Sequence, residues 1–169
     1  MPRSVQASGG LYYLKNRITT PDILTAHMEF ASCPVTWRHR LWGAQEYTPD
    51  TSNGMFFYGE KATVFATDRR WVIIPKGKGA ERQAQEVKTD MGTNHMADFL
   101  EALRTRRQPS CSPLQAYYST STVQLAMIAY EAGQRIEWDT ETRQIVGNAR
   151  AAKGLKRPYR APWVHPYHG

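Results

Sequence analysis

Three short apolar runs separated by polar turns decide how this sequence folds. They are Gly54-Met-Phe-Phe-Tyr-Gly59, Ala62-Thr-Val-Phe-Ala-Thr67 and Trp71-Val-Ile-Ile-Pro75, with charged turns at residues 59–61 and 68–70. Runs of this length and composition, bounded by turn residues, predict a β meander. The last run does not alternate between apolar and polar residues, so both of its faces require cover. Only two convincing helices follow, and we therefore expect one face of this sheet to be covered by something else.

Upstream of the meander, two alternating segments predict a β hairpin. Residues 23–30 and 35–42 are joined by Ala31-Ser-Cys-Pro34, which suits a four-residue loop. The alternation places Leu24, Ala26, Met28 and Phe30 on one face. The expected register pairs Phe30 with Val35, Met28 with Trp37, Glu29 with Thr36, His27 with Arg38 and Thr25 with Arg40. The second face is then a polar ladder, which adjoins the meander if the strands are consecutive.

This polar face is the best local candidate for a binding site. Its candidate residues are His27, Glu29, Arg38, Arg40 and Trp42. The charged and imidazole groups could bind a hydroxylated or anionic ligand, with the indole as an apolar platform. The same residues could instead form the polar part of a sheet-to-sheet interface. The excess apolar surface on the strands favours this second interpretation.

The remainder of the chain predicts two longer helices and a proline-rich tail. Thr93 or Asn94 is expected to cap a helix that runs to about Arg107 before Pro109. Ser112-Pro-Leu-Gln115 is a strong start for a second helix that ends at Gly133. Residues 80–90 indicate loop or edge strand, residues 136–139 a short strand, and residues 148–155 a brief helix capped by its asparagine. The tail holds three prolines, which excludes helix and central strand.

Length and composition describe an ordinary globular chain. It has 169 residues, of which 41% are hydrophobic and 22% charged, as expected for one domain. No apolar run approaches the roughly 20 residues that cross a bilayer, and the N-terminus lacks the apolar core of a signal peptide. Cys33 and Cys111 favour reduced thiols over a disulfide, and we expect a cytoplasmic location. The net charge of +7 indicates a polyanionic partner or an acidic complement elsewhere, and the dispersed cations favour the second.

Motifs of catalysis are missing from the sequence. Gly77-Lys-Gly-Ala-Glu-Arg82 lacks both the third glycine of a dinucleotide fingerprint and the Gly-Lys-Ser/Thr of a phosphate loop. The five histidines do not converge in sequence, so no metal site is predicted. No Gly-x-Ser-x-Gly elbow is present, and His95 with Asp98 is best explained as a hydrogen-bonded pair on a helix surface. Catalytic residues are therefore unknown.

Several segments occur together in an order typical of one family. They are Gly54-Met-Phe-Phe-Tyr-Gly-Glu-Lys61, His95-Met-Ala-Asp-Phe-Leu-Glu-Ala-Leu-Arg-Thr-Arg-Arg-Gln-Pro109, the helix 116–133, Ile136-Glu-Trp-Asp139 and Arg157-Pro-Tyr-Arg-Ala-Pro-Trp163. Together they resemble the bacterial type of C-terminal domain in Gfo/Idh/MocA oxidoreductases, the relatives of glucose-fructose oxidoreductase and inositol dehydrogenase. The resemblance covers nearly the whole chain.

The resemblance implies an α/β (α+β) fold with an open mixed, mostly antiparallel sheet. Helices lie on one face, and the other face serves association. It implies one domain, 1–169, with an extended arm at 157–169. In this family an NAD(P)-binding Rossmann domain comes first, with a glycine fingerprint, Glu-Lys-Pro and Asp-x-x-x-His. This sequence contains none of the three motifs. No cofactor-binding or catalytic residue is assigned, and we expect a truncated reading frame, an isolated domain or half of a split enzyme.

The expected function follows from this resemblance. The chain would be the substrate-binding and oligomerisation domain of an NAD(P)-dependent sugar or polyol oxidoreductase, inactive alone. Its partners would be a second copy through the open sheet face, a separate or missing Rossmann domain, and a sugar-like molecule. The alternative is a stand-alone basic binding module for carbohydrate or nucleic acid. Nucleic acid is disfavoured because Trp71 of Arg69-Arg-Trp71 lies in an apolar run typical of a core strand.

Overall fold

The computed structural model describes residues 1–44, 53–88, 90–156 and 158–164, and it confirms the mixed α/β class with two mostly antiparallel open sheets. The chain forms two compact units, the first from Met1–Gly43 and Pro113–Gly169, the second from Ala44–Ser112. The elements in chain order are β1 Ser4–Gly10, β2 Ile23–Glu29, β3 Pro34–Arg40, β4 Met55–Tyr58, β5 Ala62–Ala66, β6 Arg70–Pro75, β7 Gln83–Glu86, α1 Met91–Thr105, α2 Pro113–Ala132, β8 Ile136–Asp139, β9 Gln144–Val146 and α3 Ala149–Ala152, which a 3-10 turn at Lys153–Leu155 extends.

The first unit is a five-stranded sheet in the order β3-β2-β1-β8-β9 with α2 packed on one face. Leu24, Ala26 and Met28 are buried on that face, as their alternation predicts, and Phe30 packs against the same core. The helix contributes Leu125, Ala126, Ile128 and Ala129, while β8 and β9 add Ile136, Trp138 and Ile145. The alanines let the helix axis approach the sheet closely. Each large side chain buried here contributes about 1.5–3 kcal/mol relative to exposure.

The hairpin of β2 and β3 forms as predicted, but its register is shifted by two residues. Met28 pairs with Val35, and His27 pairs with Thr36 rather than with Arg38. The shift arises because the turn is tighter than expected: the N–H of Phe30 donates to the carbonyl of Cys33 at 3.2 Å. A shift of two residues preserves the faces, since side chains alternate with a period of two.

The second unit contains the predicted meander, to which β7 adds the edge strand foreseen in residues 80–90. Its sheet has the order β4-β5-β6-β7. The expectation that the polar ladder adjoins the meander is wrong, because β3 and β4 belong to different sheets. Every residue of β4 is exposed, and every residue of β6 is half-buried. Phe65 is the one buried residue among these four strands in the part of the chain that the structure describes.

Two predicted helix ends are confirmed, and one predicted helix cap is wrong. The cap of α1 is Asp90 rather than Thr93 or Asn94, because its carboxylate accepts from the N–H of Gly92 at 3.0 Å. The helix therefore begins at Met91, earlier than predicted. α2 ends at Gly133 as predicted: this residue has φ 68°, and its N–H donates to the carbonyl of Ala129 at 3.0 Å. Asn148 caps α3 through the N–H of Ala151. In the predicted arm 157–169, residues 157 and 165–169 lie outside the described residues, and 158–164 form no helix or strand.

Candidate functional site

The face of the first sheet opposite α2 is polar, and we refer to it as the polar face. Its polar residues are Ser4, Gln6, Ser8, Thr25, His27, Glu29, Thr36, Arg38 and Arg40. These residues stand in cross-strand rows, because each residue of β2 pairs with one on β1 and one on β3. Four of the five residues predicted for the site share this face: His27, Glu29, Arg38 and Arg40. The alternation of the sequence is sufficient to bring them to one side.

His27 lies in the central row of the polar face. It stands between Gln6 of β1 and Thr36 of β3, and its Nδ1 lies 3.2 Å from the hydroxyl oxygen of Thr36. Arg38 follows in the next row, opposite Thr25 and Ser8. The row therefore presents an exposed imidazole, an amide and a hydroxyl side by side. Groups of this kind can both donate hydrogen bonds to hydroxyls and accept them.

Glu29 is held in an ion-pair chain at one end of the polar face. Its carboxylate accepts from the Ser4 hydroxyl at 3.0 Å and from Nη2 of Arg135 at 2.9 Å, while Nε of Arg135 donates to Glu137 at 2.7 Å. The Ser4 hydrogen bond, and then Arg135, lower the pKa of Glu29. Glu29 is therefore an anion that accepts hydrogen bonds, not a proton donor. A shallow depression of about 390 Å³ opens beside it, lined by Arg3, Glu29 and residues 30–34.

Trp42 lies beyond the last residue of β3 and packs against the loop between β1 and β2. Its ring centroid is 5.4 Å from that of Tyr13, with an interplanar angle of 34°. Trp42 is half-buried, whereas Tyr13 is 67% exposed. The fifth predicted site residue thus belongs to an aromatic pair at the opposite end of the face from Glu29.

Asp22 is the buried acid beneath this aromatic pair. Its carboxylate accepts from the backbone N–H groups of Tyr12, Tyr13 and Leu14 at 2.9, 2.7 and 2.8 Å. Burial by itself would raise the pKa of Asp22, but the N–H groups of Leu14, Tyr12 and Tyr13 outweigh it and lower the pKa to about 2. The Trp42 indole N–H lies near the same carboxylate and lowers the pKa further, although its geometry falls short of a hydrogen bond. Asp22 is ionised throughout the physiological pH range.

Sequence reasoning missed Asp22, Tyr13 and Arg135. Arg135 and Glu137 flank one apolar strand residue, so the alternation places them on one face; their meeting with Glu29 depends on β8 lying beside β1. Asp22 occupies the last position before a strand, and nothing in that position signals three backbone donors. These contacts join residues 8 to 106 positions apart.

Comparison with protein families gives a match over most of the chain. The family model described as the oxidoreductase family, C-terminal alpha/beta domain (Gfo/Idh/MocA type) matches residues 52–165. The chain belongs to this family. Comparison with curated protein sequences gives no significant match.

Solved structures show the same fold as this Gfo/Idh/MocA domain at low sequence identity. A protein from Thermotoga maritima named as an oxidoreductase aligns with 80% of this chain and 40% of its own, at 14% identity and TM-score 0.61. One from Klebsiella pneumoniae aligns with 92% of this chain and 47% of its own, at 14% identity and TM-score 0.60. The protein named as oxidoreductase yvaA from Bacillus subtilis aligns with 82% of this chain and 46% of its own, at 10% identity and TM-score 0.56. The chain thus spans less than half the length of each.

The domain offers no fitting site for a dinucleotide in the residues that the structure describes. NAD(P) binds where a parallel strand turns into a crossover helix, with its pyrophosphate at the helix N-terminus. Every strand pairing within residues 1–44, 53–88, 90–156 and 158–164 is antiparallel. The residues present therefore do not fit this cofactor, and no chemical step through it is derived from them.

The same described residues bear on metal binding, thiol chemistry and membrane insertion. Among them, no three His, Cys, Asp or Glu side chains come close enough to share a metal ion. Cys33 and Cys111 are exposed free thiols. No helix in the described ranges is long and apolar enough to cross a membrane. The chemistry that the polar face offers is hydrogen bonding and charge.

Proposed function

We propose that this chain provides the substrate-side wall and the association surface of an oxidoreductase that transfers a hydride between NAD(P) and a hydroxyl-bearing carbon of a sugar or polyol. The observation that carries the proposal is the polar face: an exposed sheet surface of hydrogen-bonding side chains, backed on its other side by a packed helix. Membership of the oxidoreductase family supports the reaction class.

The polar face supports a hydroxylated ligand because of what it can donate and accept. Gln6, Ser8 and Thr36 are exposed and uncharged. Gln6 and Thr36 flank His27 on β1 and β3, and Ser8 lies in the row of Arg38. A polyol needs several donors and acceptors at fixed separations, and a sheet provides them at about 4.8 Å between strands. The rigid backing by α2 limits the entropy lost when these side chains engage a ligand.

The nicotinamide and the proton-accepting group would come from a Rossmann domain that is not part of this sequence. The solved relatives are more than twice as long as the segment that this chain matches. In this arrangement the polar face would hold the substrate carbon towards the nicotinamide, and a base on the other domain would take the hydroxyl proton. The present chain would then bind and orient the substrate, and the other domain would supply the reacting groups.

The association surface is the sheet of the second unit. Met55, Phe57, Trp71 and Ile73 share one of its faces, because Met55 pairs with Ala66 opposite Trp71, and Phe57 pairs with Val64 opposite Ile73. Phe57 is 57% exposed and Met55 61% exposed. The opposite face is partly covered by its own side chains, since the rings of Phe56 and Phe65 lie 4.5 Å apart. We therefore place the contact with a second copy on the Phe57 face.

Adjacent residues of β4 provide a matched test of association. Phe57→Glu places a charge on the Phe57 face, and Tyr58→Glu places the same charge on the opposite face at an exposed position. Phe57→Glu should weaken self-association at least about tenfold, measured by sedimentation equilibrium, and Tyr58→Glu should leave it near the wild-type value. A wild-type chain that stays monomeric at high micromolar concentration contradicts the association surface.

The ligand class is tested by titrating the chain with myo-inositol and following backbone amide shifts. Shifts confined to the polar face, and weakened in Arg38→Ala, are the expected result. Binding of a random-sequence oligonucleotide that falls steeply with salt, with no response to inositol, would instead favour the alternative of a basic binding module.

A further inference from the structure

We propose that Asp22 is a positioning residue that holds Tyr13 and Trp42 as an aromatic platform at one end of the polar face, where the apolar side of a sugar ring packs. The ligand class in this inference rests on the proposed function. The positioning role rests on contacts within the first unit alone.

The side chain of Asp22 fixes one half of the platform. Three consecutive backbone N–H groups, from Tyr12 to Leu14, point at its two carboxylate oxygens. Successive N–H groups that converge in this way form a concave anion site. The loop closes on itself by a further bond from the N–H of Arg17 to the carbonyl of Leu14 at 3.1 Å. The carboxylate thus fills a site that the loop would otherwise present empty, and it sets the backbone from which the Tyr13 ring projects.

The main chain of Asp22 fixes the other half. Its carbonyl accepts from the N–H of Leu41 at 2.9 Å, and its own N–H donates to the carbonyl of Gly10 at 3.0 Å. Leu41 directly precedes Trp42. One residue therefore ties together the end of β1, the loop that carries Tyr13 and the segment that carries Trp42. Its side chain is completely buried, so these bonds do not compete with solvent.

The platform adjoins the polar face through Tyr12. The Tyr12 ring covers Gly10, where an added Cβ would lie 2.8 Å from the ring, and its hydroxyl lies 3.4 Å from the carbonyl of Gly9. Gly10 stands in the same cross-strand row as Ile23 and Arg40. The exposed tyrosines and the half-buried indole thus give an apolar surface beside hydrogen-bonding groups. This combination suits a ring that is apolar on its faces and hydroxylated at its edge.

The experiment uses the full chain labelled with 5-fluorotryptophan, and the Trp42 resonance is assigned with Trp42→Phe. Asp22→Ala empties the anion site. Asp22→Asn keeps the shape of the side chain but replaces one acceptor oxygen of the carboxylate with an NH2 donor. Asp139→Asn is the matched control, because Asp139 also accepts from two backbone N–H groups in a turn of the same unit, far along the sheet order from β3. The readouts are the Trp42 fluorine shift, amide exchange at residues 12–14, and titration with D-glucose.

Asp22→Ala should shift the Trp42 signal, raise amide exchange at residues 12–14 by at least about tenfold, and weaken glucose binding by at least about fivefold. Sodium formate should restore all three, since formate fits the emptied site. Asp22→Asn should show the same defects without rescue. Tyr13→Ala should abolish glucose binding, while amide exchange at residues 12–14 stays near the wild-type rate. Asp139→Asn should leave all three readouts unchanged.

Two results would overturn the inference at different points. Unchanged Trp42 shift and amide exchange in Asp22→Ala and in Asp22→Asn would remove the positioning role. The second result is a Trp42 fluorine shift in the wild-type chain that does not change with glucose, while the shift in Asp22→Ala still changes with formate. This result would contradict the sugar assignment of the platform but not the positioning role of Asp22. The inositol titration of the polar face separates that second outcome from failure of the proposed function.

Discussion

The two sheets of this chain contain similar amounts of apolar sequence but bury it very differently. In the sheet of β1, β2, β3, β8 and β9, apolar side chains alternate and one face packs on α2. In the sheet of β4 to β7, both faces are apolar, and Phe65 is the one buried strand residue in the part that the structure describes. A sheet with one apolar face is completed by one helix, whereas a sheet with two apolar faces needs two partners.

The stability of the first unit comes from its own core, whereas that of the second unit depends on what covers its sheet. α1 carries its own exposed apolar residues, Met91, Met96, Phe99, Leu100 and Leu103, and Ala102 is its one buried residue among those described. We therefore expect substitutions in the first unit to act on folding. Substitutions on the Phe57 face should act mainly on association.

The largest effect should come from the core of the first unit. Leu125 is 2% exposed under the sheet, so Leu125→Ala should reduce the free energy of unfolding by about 3 kcal/mol, through lost burial and the cavity left behind. Val123→Ala on the same helix, at a residue 56% exposed, should cost less than about 0.5 kcal/mol. Urea unfolding followed by circular dichroism measures both. Equal losses for the two variants would contradict the covered core.

A pair of glycine substitutions should give effects of opposite sign in the two units. Gly133 has φ 68° at the end of α2, so Gly133→Ala should cost about 1 kcal/mol of backbone strain. Gly92 lies in the first turn of α1, where an added Cβ meets nothing closer than 3.5 Å, so Gly92→Ala should gain about 0.5–1 kcal/mol. Unfolding midpoints in urea give the comparison. Destabilisation by both would show that α1 is more constrained than its exposure indicates.

The smallest effect should come from an acid in the second unit, and it should depend on pH. The backbone N–H of Ser110, and then the Arg107 guanidinium at 2.6 Å, lower the pKa of Asp98 below its ordinary 3.8. A lowered folded pKa stabilises above the unfolded value and is lost as the pH falls through the folded pKa. Asp98→Asn should therefore lower Tm by about 2 °C at pH 7, and this loss should shrink as the pH falls towards 2.

The control for Asp98 is Glu101→Gln on the same helix. Glu101 pairs with the largely exposed Arg104 at three residues' spacing, so its loss should lower Tm at pH 7 by less than the loss of Asp98 does. A Tm difference for Asp98→Asn that persists at pH 2 would mean that packing, not charge, explains the effect.

The sequence predicted the elements of the candidate site better than its contacts. The alternation of β2 and β3 was enough to place His27, Glu29, Arg38 and Arg40 on one face, because side-chain direction in a strand is local. The exact partners were not predictable to the same degree, since the register depends on where the turn closes. Trp42 was foreseen as an apolar platform, but its partner Tyr13 comes from a different loop.

Local chemistry in the sequence thus determined the strands of the hairpin and meander, the end of α2 at Gly133, and the family of the domain. Tertiary structure alone decided that β3 and β4 separate into two sheets, that Arg135 meets Glu29, and that Asp22 collects three backbone N–H groups. The reason is physical. Periodicity, caps and turns act over a few residues, whereas sheet partners and buried ion contacts depend on which distant segments compete for the same surface.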